Sequence, residues 1–115
     1  MDHRWYERKS IPINVLLNRR DFPGIYCQCR NISLGGMFVE VDNPSYASGS
    51  VVEVIFAIAT TDALDEYRIK ASVIHVTPHG YGLMFLSINR ESLKMLEQLL
   101  HPASQANGNN SQLNA

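Results

Sequence analysis

The feature that most constrains this chain is a two-residue rhythm, interrupted at short intervals. Ile13, Val15 and Leu17 fall at alternate positions, as do Val52, Val54, Phe56 and Ile58, then Ile69, Ala71 and Val73, then Tyr81, Leu83 and Phe85. A strand turns successive side chains to opposite faces, so this alternation predicts strands with one buried face. Strands are expected over 11–18, 25–32, 37–41, 50–59, 68–76 and 81–86. Turn-forming residues separate them: Arg19 to Pro23-Gly24, Gly35-Gly36, the Asn, Pro, Ser and Gly of 42–49, a polar acidic connection over 60–66, and Pro78 with Gly80. Pro12 stands at the start of the first run, where a strand tolerates it. The first two strands are expected to form a hairpin. Six short strands of this kind predict an all-β dominated fold, a small barrel or sandwich, and closing the sheet would hide its edges.

The rhythm then changes. Leu93, Leu96, Leu99 and Leu100 recur at helical spacing, with Asn89 placed to cap the N-terminus, Glu91 in the first turn and Pro102 to stop the run. His101 near the end suits the helix dipole only when protonated. The chain therefore divides into a polar N-terminal arm, residues 1–10, expected to be flexible; a folded body, residues 11–101; and a tail, residues 102–115, of Asn, Gln, Ser, Gly and Ala, expected to be disordered.

At 115 residues, 45% of them hydrophobic, the chain suits one domain with a real core. A formal net charge of −1 argues against a general binder of nucleic-acid polymers or membrane surfaces. The distribution matters more. Six of the ten Lys and Arg residues precede position 31, against three of the eleven acidic ones, so an anionic partner is expected to meet the N-terminal side of the fold. Cys27 and Cys29 are two apart in an expected strand, on one face and poorly placed to bridge each other. Free thiols fit a reducing cytoplasm. No signal peptide and no membrane insertion are expected, since Met1 is followed by charged and aromatic residues and no window approaches the length of a span.

Two clusters carry chemistry. One is Arg30-Asn31-Ile32-Ser33-Leu34-Gly35-Gly36, where one alternating run ends and another begins. Along a strand end Asn31 and Ser33 point the same way, offering the mixed donors and acceptors that a purine edge needs, while Gly36 leaves room for a ligand or for a positive φ. The plainer alternative is a tight turn whose side chains bond their own backbone. The other cluster is Arg4-Trp5-Tyr6-Glu7-Arg8. Guanidinium forks suit phosphate and guanine O6/N7, and their planes stack on bases. Here the plainer alternative is a solvated arm in which Glu7 pairs weakly with either arginine.

Taken together, Arg4-x-x-x-Arg8 in an N-terminal arm, a hairpin, then Asn31-x-Ser33-x-x-Gly36 at a strand end resembles the PilZ domain family, over roughly Arg4 to Leu100. The resemblance implies a six-stranded antiparallel β-barrel with a C-terminal α-helix. It also implies a cytoplasmic bacterial receptor for cyclic di-GMP that needs no cofactor, is not an enzyme, and signals to an effector protein in motility, chemotaxis or exopolysaccharide control. Carried over, Arg4 and Arg8 supply charge and stacking, Asn31 and Ser33 supply guanine hydrogen bonds, and Gly36 permits close backbone approach. Gly35 and His75 are further candidates; His75 stacks on a base or is an ordinary strand histidine, and Trp5 stacks or docks. One departure is His3, where many members carry a further arginine, which leaves the ligand stoichiometry open. Three rivals remain: a PilZ-like adaptor that binds no nucleotide, a metal or thiol enzyme built on Cys27, Cys29, His75 and His79, and a barrel binding single-stranded RNA. The spacing of the four Cys and His residues matches no common ligand pattern, and the mild charge disfavours RNA.

Overall fold

The structure, a computed structural model, describes residues 9–10, 13–20 and 22–101. Six strands run in chain order as β1 Ile13–Arg19, β2 Phe22–Ile32, β3 Gly36–Glu40, β4 Val51–Ala59, β5 Leu64–Thr77 and β6 Gly80–Ser87, followed by the helix α1 Arg90–Leu100. They form a closed barrel in the order β1-β2-β3-β6-β5-β4, with every pairing antiparallel. The inward positions are those the alternation marks. Val15, Leu17, Val52, Val54, Phe56, Ile69, Ala71, Val73, Tyr81 and Leu83 are all nearly inaccessible to solvent. Cys27 and Cys29 also point inward and are buried in the core.

Each end of the barrel is closed differently. At the β6 start, Tyr81 stacks on Tyr46, with ring centroids 5.4 Å apart. The Tyr81 hydroxyl accepts hydrogen bonds from the backbone N–H groups of Ser45 and Tyr46, both at 2.7 Å. Phe22 packs edge-on against Tyr46, and the Arg19 guanidinium lies 4.6 Å from the Phe22 ring centre. β6 carries the chain to the opposite end, where α1 packs on β5 and buries Ser92, Met95, Leu96 and Leu100. Asn89 caps this helix as its sequence position predicts, its side chain accepting from the Ser92 N–H at 2.8 Å. Leu93 and Leu99 are only half-buried, and Met95 takes the inward place that the leucine pattern does not mark.

Two expectations are corrected. Pro23 and Gly24 are not the first turn but lie within β2; the reversal falls between Arg19 and Phe22, which pair directly. Between the pairs Leu17–Ile25 and Arg19–Phe22, β2 has one residue more than β1, and an irregular stretch of this kind accommodates proline. The acidic connection over 60–66 is also shorter than expected. β5 already begins at Leu64, and Asp65 and Glu66 pair with Ile58 and Ala57. Their side chains are exposed, so no core-facing pattern marks the strand.

Gly36 and Gly80 mark the places where strands come closest. A Cβ on Gly36 would lie 2.1 Å from the Leu83 carbonyl oxygen, and one on Gly80 would lie 1.9 Å from that of Val39. Neither glycine has a positive φ; what excludes a side chain is the neighbouring backbone. Gly36→Ala is therefore expected to cost on the order of 3 kcal/mol by forcing β3 and β6 apart, read as a fall in thermal midpoint of roughly 10 °C or more. The core thiols supply a second test. Burial pushes the Cys27 thiol up to about 12 from its ordinary 9.0, partly offset by a backbone hydrogen bond involving Leu17. Because the folded value is raised, this contribution to stability is whole below pH 9.0 and is lost as pH climbs toward 12. Cys27 is expected to resist alkylation at pH 8 in the native protein and to react once it is unfolded, measured by mass spectrometry.

Candidate functional site

The Asn31 corner is built by a fault in the alternation. β2 pairs with β3 through Cys29–Val39 and then Asn31–Phe38, so Arg30 is an extra residue bulged out of the ladder. Without the bulge, Asn31 would face the core and Ile32 the solvent. With it, Ile32 is fully buried opposite Met37, while Arg30 and Asn31 both face outward. Bulges re-aim side chains in this way. The exposed Arg30 guanidinium is ion-paired with Glu40 of β3.

Ser33 does not share the direction of Asn31, because β2 ends between them. Its side chain is buried within its own turn. The hydroxyl accepts from the Gly35 N–H at 3.1 Å and donates to the Gly36 carbonyl at 3.4 Å, while the Ser33 N–H donates to that same carbonyl at 2.8 Å. The Gly35 carbonyl in turn accepts from the Phe85 N–H at 3.0 Å, which fixes the turn to β6. The space beside Gly36 is taken by the Leu83 backbone, so this glycine sets how closely the strands approach.

Asn31 belongs to a row that crosses four strands. It pairs with Phe38 on β3, Phe38 pairs with Gly82 on β6, and Gly82 pairs with His75 on β5. Directly opposed residues share a face, so Asn31, Phe38 and His75 stand on the outer surface with bare backbone at Gly82 between the two rings. Three strand spacings put His75 roughly 14 Å from Asn31 along the sheet. His75 owes this orientation to a second bulge at Ile74. Sequence reasoning missed Phe38 and Gly82; the signal that finds them is the cross-strand register, which a linear pattern does not contain.

Arg4 and Arg8, together with His3 and Trp5, lie outside the described residues. What is described is the point where their segment meets the barrel. Lys9 forms an isolated antiparallel bridge with Ile32, each N–H donating to the other's carbonyl at 2.9 Å. The bridge falls between Asn31 and Ser33.

Among the described residues, no group of three His, Cys, Asp or Glu side chains is placed to hold a metal ion. Cys27 is buried and protonated, while His75 and His79 stand exposed on β5 and in the turn after it.

Comparisons with known proteins follow the same lines. No curated protein matches the chain in sequence. Among solved structures, it is similar to the Bacillus subtilis inhibitor of motility MotI/DgrA, at 20% identity and a TM-score of 0.69, covering 90% of this chain and 51% of that one. The chain thus spans about half the length of the Bacillus protein. The PilZ domain of YcgR from Escherichia coli, solved with c-di-GMP, is 15% identical with a TM-score of 0.66, covering 93% of this chain and 96% of that one. The PilZ domain of CeSA from a cellulose-synthesizing bacterium is 14% identical with a TM-score of 0.67, covering 85% and 98%. At these identities the likenesses speak for the fold alone. The model of the PilZ domain family matches residues 2–101, most of the chain, and on that ground the chain belongs to the PilZ domain family.

Proposed function

We propose that this chain is a receptor for cyclic di-GMP that relays binding to a protein partner. The observation that carries the reading is the Lys9–Ile32 bridge, because it brings the end of the arginine-bearing arm to the Asn31 corner. Arg8 directly precedes Lys9 in the chain. A cyclic dinucleotide has two phosphates and two stackable bases. Arg4 and Arg8 supply charge and guanidinium planes, and Asn31 supplies an amide for a guanine edge. Ser33, Gly35 and Gly36 act through the turn they shape. Phe38 and His75 offer ring faces along the same row.

The activity is binding, with no chemical step. The rest of the arm, residues 1–8, is proposed to change position when its arginines engage the ligand, and the partner reads the remade surface. Ile74 and Met84 are exposed on β5 and β6 close to that row, and apolar exposure beside a ligand site suits protein contact. Among the described residues, no helix is long and apolar enough to cross a membrane. The proposal places the receptor in the cytoplasm, with motility, chemotaxis and exopolysaccharide control as its candidate outputs.

Calorimetry with cyclic di-GMP, using GMP and cyclic AMP as controls, tests the reading. Saturable binding of cyclic di-GMP alone is expected. Arg8→Ala is expected to weaken it at least tenfold through loss of a charge-assisted contact, and Asn31→Ala by about tenfold through loss of a base-edge pair. A wild-type protein that binds none of the three nucleotides leaves the adaptor reading in its place. Amide shifts of residues 1–8 that stay unchanged at saturation would remove the switch while leaving the receptor.

A further inference from the structure

We infer that Arg30 is a third guanidinium of the ligand site, held off it by Glu40, so that the Arg30–Glu40 pair acts as an acidic latch that sets affinity. The inference rests on the cyclic di-GMP reading and extends it to a residue outside the two sequence motifs.

Three observations carry it. First, the bulge puts Arg30 and Asn31 side by side on the outer face, where regular alternation would have placed them on opposite faces. A ligand edge that meets the Asn31 amide is therefore within one residue of the Arg30 fork. Second, Arg30 is exposed, and the side chain it pairs with is that of Glu40. Third, Glu40 pairs in register with Gln28, whereas Phe38 is the residue opposite Asn31. Arg30 thus leans along the strands toward Glu40, away from the row that holds Asn31, Phe38 and His75. A rotamer change, with no backbone movement, can carry the guanidinium back over that row.

The chemistry names the group Arg30 would take. It now holds a carboxylate, and the anion that a cyclic dinucleotide offers in exchange is a phosphate, whose geometry the guanidinium fork also matches. The exchange is selective for ligands that bring such an anion. Its size is modest, because an ion pair this exposed contributes little in water and is screened by salt. Glu40 is thus a competitor weak enough for a phosphate to displace, yet strong enough to lower the resting affinity.

The alternative is that the pair only ties β2 to β3 across the bulge. The sign of one mutation separates the two. A latch predicts that Glu40→Gln tightens binding of cyclic di-GMP by about three- to fivefold, with Arg30→Ala weakening it by roughly tenfold. Arg30→Lys should fall between wild type and Arg30→Ala. In Arg30→Ala the effect of Glu40→Gln should largely disappear, and in about 1 M salt the gain in Glu40→Gln should shrink. A tie alone predicts unchanged or weaker binding in Glu40→Gln, with a lower thermal midpoint. Both side chains are exposed, so both variants are expected to fold, and thermal melts check this. Equal affinity in wild type, Arg30→Ala and Glu40→Gln overturns the latch and leaves the receptor standing. No binding of cyclic di-GMP by wild type overturns both.

Discussion

Closure of the barrel is the constraint on which the rest depends. Each strand has to satisfy two neighbours, so no register can slip alone, and every inward side chain must fit an interior that strands approach from all sides. The tightest points are where backbone meets backbone, Gly36 against Leu83 and Gly80 against Val39. They draw β3 against β6 and leave no room for a side chain on either glycine. A closed sheet also has limited means of placing polar groups on its outside at chosen points, and bulges are the means used here. Arg30 and Ile74 are each an extra residue, and each turns its successor, Asn31 or His75, onto the outer face.

The corner around Asn31 thus owes its chemistry to a local departure from the rule that builds the barrel. Ser33 illustrates the division of labour. Its hydroxyl and N–H are engaged by Gly35 and Gly36, so its contribution is the shape of the turn that anchors β2, β3 and β6 together. A short string of polar residues need not be a string of ligand contacts. One member presents an amide, another holds the loop, and a third permits strands to touch.

The strands were legible where burial is one-sided. Val52, Val54 and Phe56 alternate with residues of greater exposure, and β4 lies where that rhythm puts it. The start of β5 is not legible because Asp65 and Glu66 are exposed in a strand segment without an apolar face toward the core. The Pro23-Gly24 pair misled for a different reason: a bulge accommodates the same residues that a turn prefers. The orientation of Asn31 was legible only in part. Its identity was visible, but the bulge that aims it is a property of two strands in register. Tyr46 was hidden in the same way, since its burial depends on Tyr81, thirty-five residues away in sequence, bonding its backbone N–H.

The Lys9–Ile32 bridge has a kinetic meaning. Two reciprocal hydrogen bonds tether Lys9 to the Asn31 corner, and a group tethered in this way samples a small volume instead of the whole solution. Its effective concentration at the neighbouring corner is on the order of millimolar or higher. In the proposed receptor, the meeting of Arg8 with a ligand held at the corner is then an intramolecular event whose rate does not depend on protein concentration. A cell can then vary the abundance of such a receptor widely without altering how each copy answers the ligand.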